Sequence, residues 1–257
     1  ENGFSFEYSA TFGQAVRAAS GDRGKKLEQE YAKCTLFDYS YKYFYGDGYG
    51  KEYRILNLKD DSEEVKRQRY MTACLLAFYQ QQKLFEDKKD PLRKFLIEKP
   101  LWVFVGGSVN AVRTENKKKV SDVIDILLYL ASFVENQKDT IDHIKKLLTG
   151  KADLLDEHGN DIFTRSFAYL NNQELTADEV YDDILRVIFN ASSRAKLHVE
   201  NLKGSEGEIA LRLGDNEPFG VINVGDASAL CKLCEGHDEL VVADMEFSGS
   251  LFRAIND

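Results

Sequence analysis

The sequence predicts an α/β fold, in which strands and helices alternate along a chain of 257 residues. Two patterns support this fold class. Apolar residues recur at helical spacing in long segments such as 119–136, whereas short apolar runs such as 101–109 and 219–226 are typical of strands. No Ser/Gly/Pro-rich linker interrupts the chain, which is long enough for one large domain or two small ones.

The first predicted strand covers residues 4–9, where aromatic side chains recur at every second position. It runs into three small residues, two of them hydroxylated: Ser9, Ala10 and Thr11. Such an end is typical either of a core strand that enters a turn or of a strand tip that faces a ligand. Both interpretations stay open at this point.

A tyrosine-rich segment, residues 37–58, predicts a β-hairpin. Aromatic residues alternate with polar ones from Phe37 to Tyr45, and the glycines that follow supply the flexible positions of a turn. Residues 53–58 return as the second strand. The aromatic face of this hairpin either stacks on nucleic-acid bases or packs on the core, and core packing is the commoner use of such a face.

The middle of the chain combines a long helix with a buried strand. Residues 62–87 predict the helix, with Asp61 or Ser62 as its N-cap. Residues 101–109 form a short, continuous apolar run of the kind found in parallel strands that are covered on both faces. The glycine-rich exit of this strand, at 106–108, lies where open α/β sheets bind ligands.

The second half of the chain predicts four helices and three strands. The helices are expected at residues 119–136, 138–149, 177–190 and 227–235. Thr176 opens the third helix, and Glu179 completes a capping box with it. The strands are expected at residues 195–202, 207–214 and 219–226. The first two of these strands pair around Gly204.

The formal net charge is −9, and it is unevenly distributed. Residues 1–100 carry 18 Lys and Arg against 16 Asp and Glu, whereas residues 101–257 carry 16 against 27. An acidic total excludes a protein whose whole surface binds nucleic acid by counterion release, but it leaves room for a local basic track. Lys117, Lys118 and Lys119 are candidates for phosphate contacts, and a solvated charge run is the alternative.

Several catalytic motifs are absent from the sequence. It contains no G-x-x-x-x-G-K-[ST] phosphate loop, no G-x-G-x-x-G after a strand, no H-E-x-x-H and no G-x-S-x-G. Cys231 and Cys234 form a C-x-x-C pair followed by His237, which is compatible with a metal or redox site or with ordinary core cysteines. Because a zinc site usually needs a second such pair, core cysteines are the simpler interpretation and no metal site is predicted.

Cysteine usage and hydropathy bear on the compartment. Four cysteines in a chain of this size do not make a disulfide framework, so a reducing, cytoplasmic setting is expected. No run of about 18 consecutive apolar residues occurs, and no membrane partner is expected.

Two stretches carry a family resemblance. The string EYSATF, at 7–12, resembles motif III of superfamily 2 helicases, and PLWVFVGGSV, at 100–109, resembles their motif IV. Together with the tyrosine-rich segment and FGVINVGD at 219–226, they resemble the Res subunit of type III restriction enzymes and its DEAD/DEAH-box helicase relatives.

The resemblance implies part of a RecA-like helicase core with helical insertions. Residues 1–36 would end the first RecA-like domain, 37–99 would form a hairpin and helical connector, and 100–257 would begin the second RecA-like domain. The family's phosphate-loop and Mg²⁺-binding motifs precede the Ser-Ala-Thr strand, and its remaining motifs follow the last residue here. The chain is therefore expected to be an internal fragment without a complete catalytic site, inactive as an ATPase by itself.

The resemblance also implies roles for particular residues. Ser9, Ala10 and Thr11 would couple the ATP state to domain closure, because hydroxyl groups can exchange hydrogen-bond partners between two arrangements. The end of the motif IV strand would contact the nucleic acid through Phe104, Gly106, Gly107 and Ser108. ATP and Mg²⁺ would bind the complete protein rather than this fragment.

The expected partners are DNA and, in a restriction system, a modification methyltransferase subunit. Exposed strand edges make self-association of the fragment a further expectation. The alternative function is a non-enzymatic module that binds protein or nucleic acid through the tyrosine-rich segment.

Overall fold

The structure is a computed structural model that describes residues 8, 18, 21–50, 52–60, 62–106, 111–115, 118–205, 207–251 and 253. The chain divides into two compact units, Glu1–Ile55 and Leu56–Asp257. The second unit has a mixed α/β architecture, which agrees with the predicted fold class.

The first unit contains two described helices, α1 (Asp22–Ala32) and α2 (Tyr41–Gly46). The β-hairpin predicted over residues 37–58 is wrong, because the described residues of this segment contain α2 and no strand. Tyr41 and Tyr45 lie one helical turn apart, and their ring centroids are 5.9 Å from each other. This local contact between rings favours a helical turn over the extended backbone that the alternating pattern predicts.

The second unit begins with a helical layer. Its helices are α3 (Glu64–Asp87), α4 (Lys89–Arg93), α5 (Asp122–Glu135), α6 (Gln137–Leu148), α7 (Ala168–Asn171) and α8 (Ala177–Val187). The four longest of these helices, α3, α5, α6 and α8, confirm the helices predicted at 62–87, 119–136, 138–149 and 177–190, with ends that differ by at most three residues. Glu63 rather than Asp61 or Ser62 occupies the N-cap position of α3. The capping box of Thr176 and Glu179 is confirmed, since each side chain accepts a hydrogen bond from the other residue's backbone N–H.

A four-stranded sheet follows the helical layer. Its strands are β3 (Leu197–Lys203), β4 (Glu208–Leu213), β5 (Gly220–Asn223) and β6 (Leu240–Glu246), and α9 (Ala227–Cys234) connects the last two. The strand order is β5-β4-β3-β6, with β3 antiparallel to β4 and parallel to β6. The first three strands and α9 confirm the sequence prediction, whereas β6 was not predicted.

A separate two-stranded ribbon lies ahead of α5. It consists of β1 (Arg113–Glu115) and β2 (Lys118–Val120), which pair antiparallel. The sequence predicts only a charge run here, because each strand is three residues long and carries no alternating apolar pattern. Among the helices that the structure describes, none is both long and apolar enough for a membrane span.

The core of the second unit is rich in aromatic rings. Phe133 of α5 stacks on Tyr181 of α8 at a centroid distance of 5.7 Å and on Phe189 at 5.8 Å. The hydroxyl of Tyr181 donates to the carbonyl oxygen of Val134. Helices α5 and α8 are thus held together by ring stacking and by one buried hydrogen bond.

His143 of α6 makes the stability of the second unit depend on pH. Burial, and then the positive charge of Arg69, lower the pKa of His143 below its usual value of 6.5. The unfolded chain therefore binds more protons than the folded chain below that pH, and the free energy of unfolding falls as the pH drops.

Between about pH 6.5 and 5, the free energy of unfolding measured by urea denaturation is expected to depend less steeply on pH in His143→Gln than in the wild type. The control is His158→Gln, because the His158 side chain is exposed; equal slopes in the two variants would assign the effect to other groups.

Candidate nucleic-acid interface

The motif III residues fall outside the described part of the chain. Ser9, Ala10 and Thr11 have no described structure, and their neighbour Tyr8 is exposed. Their coupling role therefore stays a prediction.

Most of the described residues of the motif IV segment, 100–106, are exposed. Residues 101–106 belong to no strand, and Phe104 and Gly106 are exposed; Gly107 and Ser108 lie outside the described residues. The predicted parallel strand is therefore wrong for residues 101–106. A strand needs a neighbouring strand to pair with, and the apolar run does not reveal from the sequence alone whether one is present.

Side chains rather than a sheet hold this segment in place. The Trp102 ring lies 5.9 Å from that of Phe78 on α3 and 4.5 Å from that of Phe104. The Gln82 amide donates to the carbonyl oxygen of Pro100 at 2.6 Å. The Phe104 ring is therefore partly covered by Trp102, and residues 103–106 are exposed.

The lysine run is only partly described. Lys117 lies outside the described residues, whereas the backbones of Lys118 and Lys119 form β2 opposite Glu115 and Thr114. A β-ribbon can present basic residues to phosphates, but these contacts stay a prediction.

The first unit carries a dense set of exposed aromatic side chains, here called the tyrosine cluster. Its members are Phe37, Tyr39, Tyr41, Tyr43, Phe44, Tyr45, Tyr49 and Tyr53. Their exposed fractions run from 39% for Phe44 to 81% for Phe37. The interpretation that this aromatic face packs on the core is therefore wrong for these rings, because all eight remain accessible.

Six rings of the tyrosine cluster form two groups of three, and Phe37 stacks on Tyr39 of the first group. In one, Phe44 contacts Tyr39 at a centroid distance of 6.2 Å and Tyr49 at 5.7 Å. In the other, Tyr41 contacts both Tyr45 and Tyr53 at 5.9 Å. Each group exposes ring surface while the contacts within it fix ring orientation.

Two carboxylates orient the phenol groups of the cluster. The hydroxyl of Tyr39 donates to Asp47 at 2.6 Å, and that of Tyr45 donates to Glu52 at 3.2 Å. The hydrogen bond to Asp47 raises the pKa of Tyr39, and the charge of Glu52, with its hydrogen bond, raises the pKa of Tyr45. Both phenols therefore stay protonated donors at neutral pH.

A cavity of about 610 Å³ opens beside the second ring group. Its lining comprises Tyr41, Tyr45, Tyr53, Glu52 and Arg54. The rings offer flat stacking surface, the carboxylate accepts hydrogen bonds, and the guanidinium donates them to anions. The sequence pattern does not single out Glu52 and Arg54. The signal that could have indicated them is their position as polar residues on either side of Tyr53.

Gly50 lies where a side chain would collide with the cluster. A Cβ built on Gly50 would lie 2.8 Å from both Cα and Cδ2 of Tyr45. We expect Gly50→Ala to displace the Tyr45 ring and to destabilise the local fold by about 1–3 kcal/mol. The readout is hydrogen exchange of the Gly48 amide, which donates to the Tyr45 carbonyl oxygen.

Gly46→Ala is the matched control for this substitution. Gly46 ends α2. Apart from its chain neighbours and the backbone of its own helix, no described heavy atom lies within 4 Å of the position of its added Cβ. Alanine should therefore leave the exchange of the Gly48 amide unchanged or slow it. Equal exchange rates in the two alanine variants would contradict the close approach of Gly50 to Tyr45.

The environment of the cysteine pair disfavours thiolate chemistry. Cys231 and Cys234 are buried free thiols on α9. Burial raises the pKa of Cys231 to about 11 and that of Cys234 to about 12. This disfavours the thiolate that metal binding or redox chemistry requires. Among the residues with a described position, no three His, Cys, Asp or Glu side chains group as metal ligands.

The chain matches no protein-family model, and it has no significant match among curated proteins or solved structures.

Proposed function

We propose that this chain is part of an ATP-dependent DNA helicase or translocase similar to the Res subunit of type III restriction enzymes. The observation that carries the proposal is the order of three motif-like strings along the sequence, at 7–12, 100–109 and 219–226. Each string alone is short, but their order follows that of the family.

The local structure of the third string supports the proposal. Residues 220–223 form β5, and the Asp226 side chain accepts a hydrogen bond from the Ala229 N–H at the start of α9. A strand, a tight turn and a capped helix in succession are common in α/β folds, the class to which the proposed motor belongs. We include in the proposal that this α/β unit is of the RecA-like class.

The proposal divides the work of the motor between this chain and the rest of the protein. Ser9 and Thr11 would respond to the state of ATP, and the motif IV segment would contact DNA. Phosphoryl transfer needs a phosphate cradle and a carboxylate that holds Mg²⁺, and the sequence supplies no phosphate loop. ATP and Mg²⁺ would therefore bind elsewhere in the complete protein, which we place in the cytoplasm with DNA and a modification methyltransferase subunit as partners.

A double substitution in the complete protein tests the coupling role. Ser9→Ala/Thr11→Ala is expected to keep DNA-stimulated ATP hydrolysis and to lose translocation along DNA, because the hydroxyl groups that link the two would be absent. Ser62→Ala, at an exposed position ahead of α3, serves as the control. Unchanged translocation by the double variant would argue against a motif III at this site.

The second candidate function is a non-enzymatic interaction module, and the tyrosine cluster is the observation that favours it. Eight aromatic side chains exposed within 17 residues are unusual for a surface without a partner. A complete reading frame that encodes no phosphate loop would favour this candidate over the motor.

A further inference from the structure

We propose that the cavity lined by Tyr41, Tyr45 and Tyr53, here called the tyrosine cavity, binds an unpaired base of single-stranded DNA. The choice of DNA as the nucleic acid rests on the proposed function. The site lies outside the three motif-like strings, so none of the roles proposed for the motor includes it. It is part of the tyrosine cluster that favours the second candidate function.

The ring geometry of the tyrosine cavity favours a flat ligand. The three rings line one open cavity, and Tyr53 is 70% exposed. Ring contacts at 5.9 Å on either side of Tyr41 hold the aromatic wall in place before any ligand arrives. Every base has a π face, so an aromatic wall of this kind stacks on unpaired bases with little regard to sequence.

The polar groups of the tyrosine cavity are suited to contact both the phosphate and the base of a nucleotide. The Arg54 guanidinium suits a phosphate oxygen, which it can contact through two parallel N–H groups. The Glu52 carboxylate can accept a hydrogen bond from the exocyclic amine of cytosine or adenine. Its hydrogen bond from Tyr45 positions it for that contact.

The composition of the lining favours a base over a peptide. Among the residues that the structure describes, the wall consists of phenol rings and two charged side chains and includes no aliphatic residue, whereas an amphipathic helix requires an apolar groove. One guanidinium beside one carboxylate also predicts a modest electrostatic contribution. We expect the salt dependence of binding to correspond to about one neutralised phosphate, a slope near −0.7 for single strands.

The test is fluorescence anisotropy of labelled oligo(dC), oligo(dT) and a matched duplex against the 257-residue chain. Tyr53→Ala is expected to weaken single-strand binding by about tenfold, whereas Tyr53→Phe, which keeps the ring, should stay within about twofold of the wild type. Arg54→Gln should remove the salt dependence of about −0.7. Tyr53 is largely exposed, so its substitution should leave the thermal unfolding of the chain unchanged.

Phe95→Ala is the matched control, because Phe95 is 74% exposed and lies in the other unit. Equal single-strand affinities of Tyr53→Ala and the wild type would overturn the tyrosine cavity as a base site. Binding of the duplex alone would overturn it too.

The outcome for the tyrosine cavity is separate from that of the proposed function. If the complete protein hydrolyses ATP in response to DNA and Tyr53→Ala binds single strands as tightly as the wild type, the proposed motor stands and the tyrosine cavity is rejected as a base site. Conversely, Tyr53-dependent binding of single strands by a protein without DNA-stimulated ATP hydrolysis would retain the cavity and reject the motor.

Discussion

Phe133→Ala is expected to lower the free energy of unfolding of the second unit by about 3–5 kcal/mol. Phe133 is 2% exposed, and its ring contacts Tyr129, Tyr181 and Phe189. Truncation removes the buried ring and leaves a cavity among three large neighbours that cannot all move into it. The effect is large because this ring joins α5 to α8.

Urea denaturation followed by far-UV circular dichroism measures this loss. The control is Phe95→Ala, since Phe95 is exposed and its truncation should change the free energy by no more than about 0.5 kcal/mol. Similar unfolding midpoints for the two variants would show that Phe133 does not occupy the centre of the core.

Arg212→Met is expected to destabilise the second unit by about 3–5 kcal/mol, because it removes the partner of a buried charge. The Glu200 side chain on β3 is 3% exposed, and its Oε1 accepts hydrogen bonds from Nε and Nη2 of Arg212 on β4 at 2.7 and 2.5 Å. Its Oε2 has no hydrogen-bond partner among the residues that the structure describes. Without Arg212 the buried carboxylate would keep only a distant basic neighbour, the Nδ1 of His198 at 3.8 Å from Oε1.

A double-mutant cycle separates the charge from the packing. Glu200→Gln/Arg212→Met should recover most of the stability that Arg212→Met loses, because no buried charge remains. Arg23→Met, at an exposed position of α1, controls for the loss of a surface arginine. Urea denaturation of the wild type, Glu200→Gln, Arg212→Met, the double variant and Arg23→Met provides the comparison. A double variant no more stable than Arg212→Met would contradict a role for the unpaired charge.

Elements specified by local sequence were predicted well. Helices α5 and α6 follow from apolar residues at helical spacing, and α8 follows from the capping box of Thr176 and Glu179. The paired strands β3 and β4 follow from two alternating runs on either side of Gly204. In each of these cases the residues that decide the structure lie within a few positions of one another.

Elements that depend on distant partners were predicted poorly. The apolar run at 101–106 has the composition of a buried strand, yet it pairs with none among the described residues. Strand β6 was not predicted because it is a half-exposed edge strand. Each of its residues pairs with a residue of β3 that lies 43 positions earlier in the chain. A partner at that separation leaves no signal in the local sequence pattern.

The candidate site was predicted in part. The aromatic character of residues 37–58 indicated a base-stacking surface, but the alternating pattern predicted a flat strand face instead of a cavity. Glu52 and Arg54 enter the site only because the chain folds back on α2 and brings Glu52 to Tyr45.

ATP hydrolysis measured with and without DNA is the most direct test of the proposed motor. The measurement compares the 257-residue chain with the protein expressed from its complete reading frame. The proposal predicts DNA-stimulated hydrolysis by the complete protein and none by the chain alone. Hydrolysis by the chain at the rate of the complete protein, or a complete protein whose ATP hydrolysis does not respond to DNA, would contradict it.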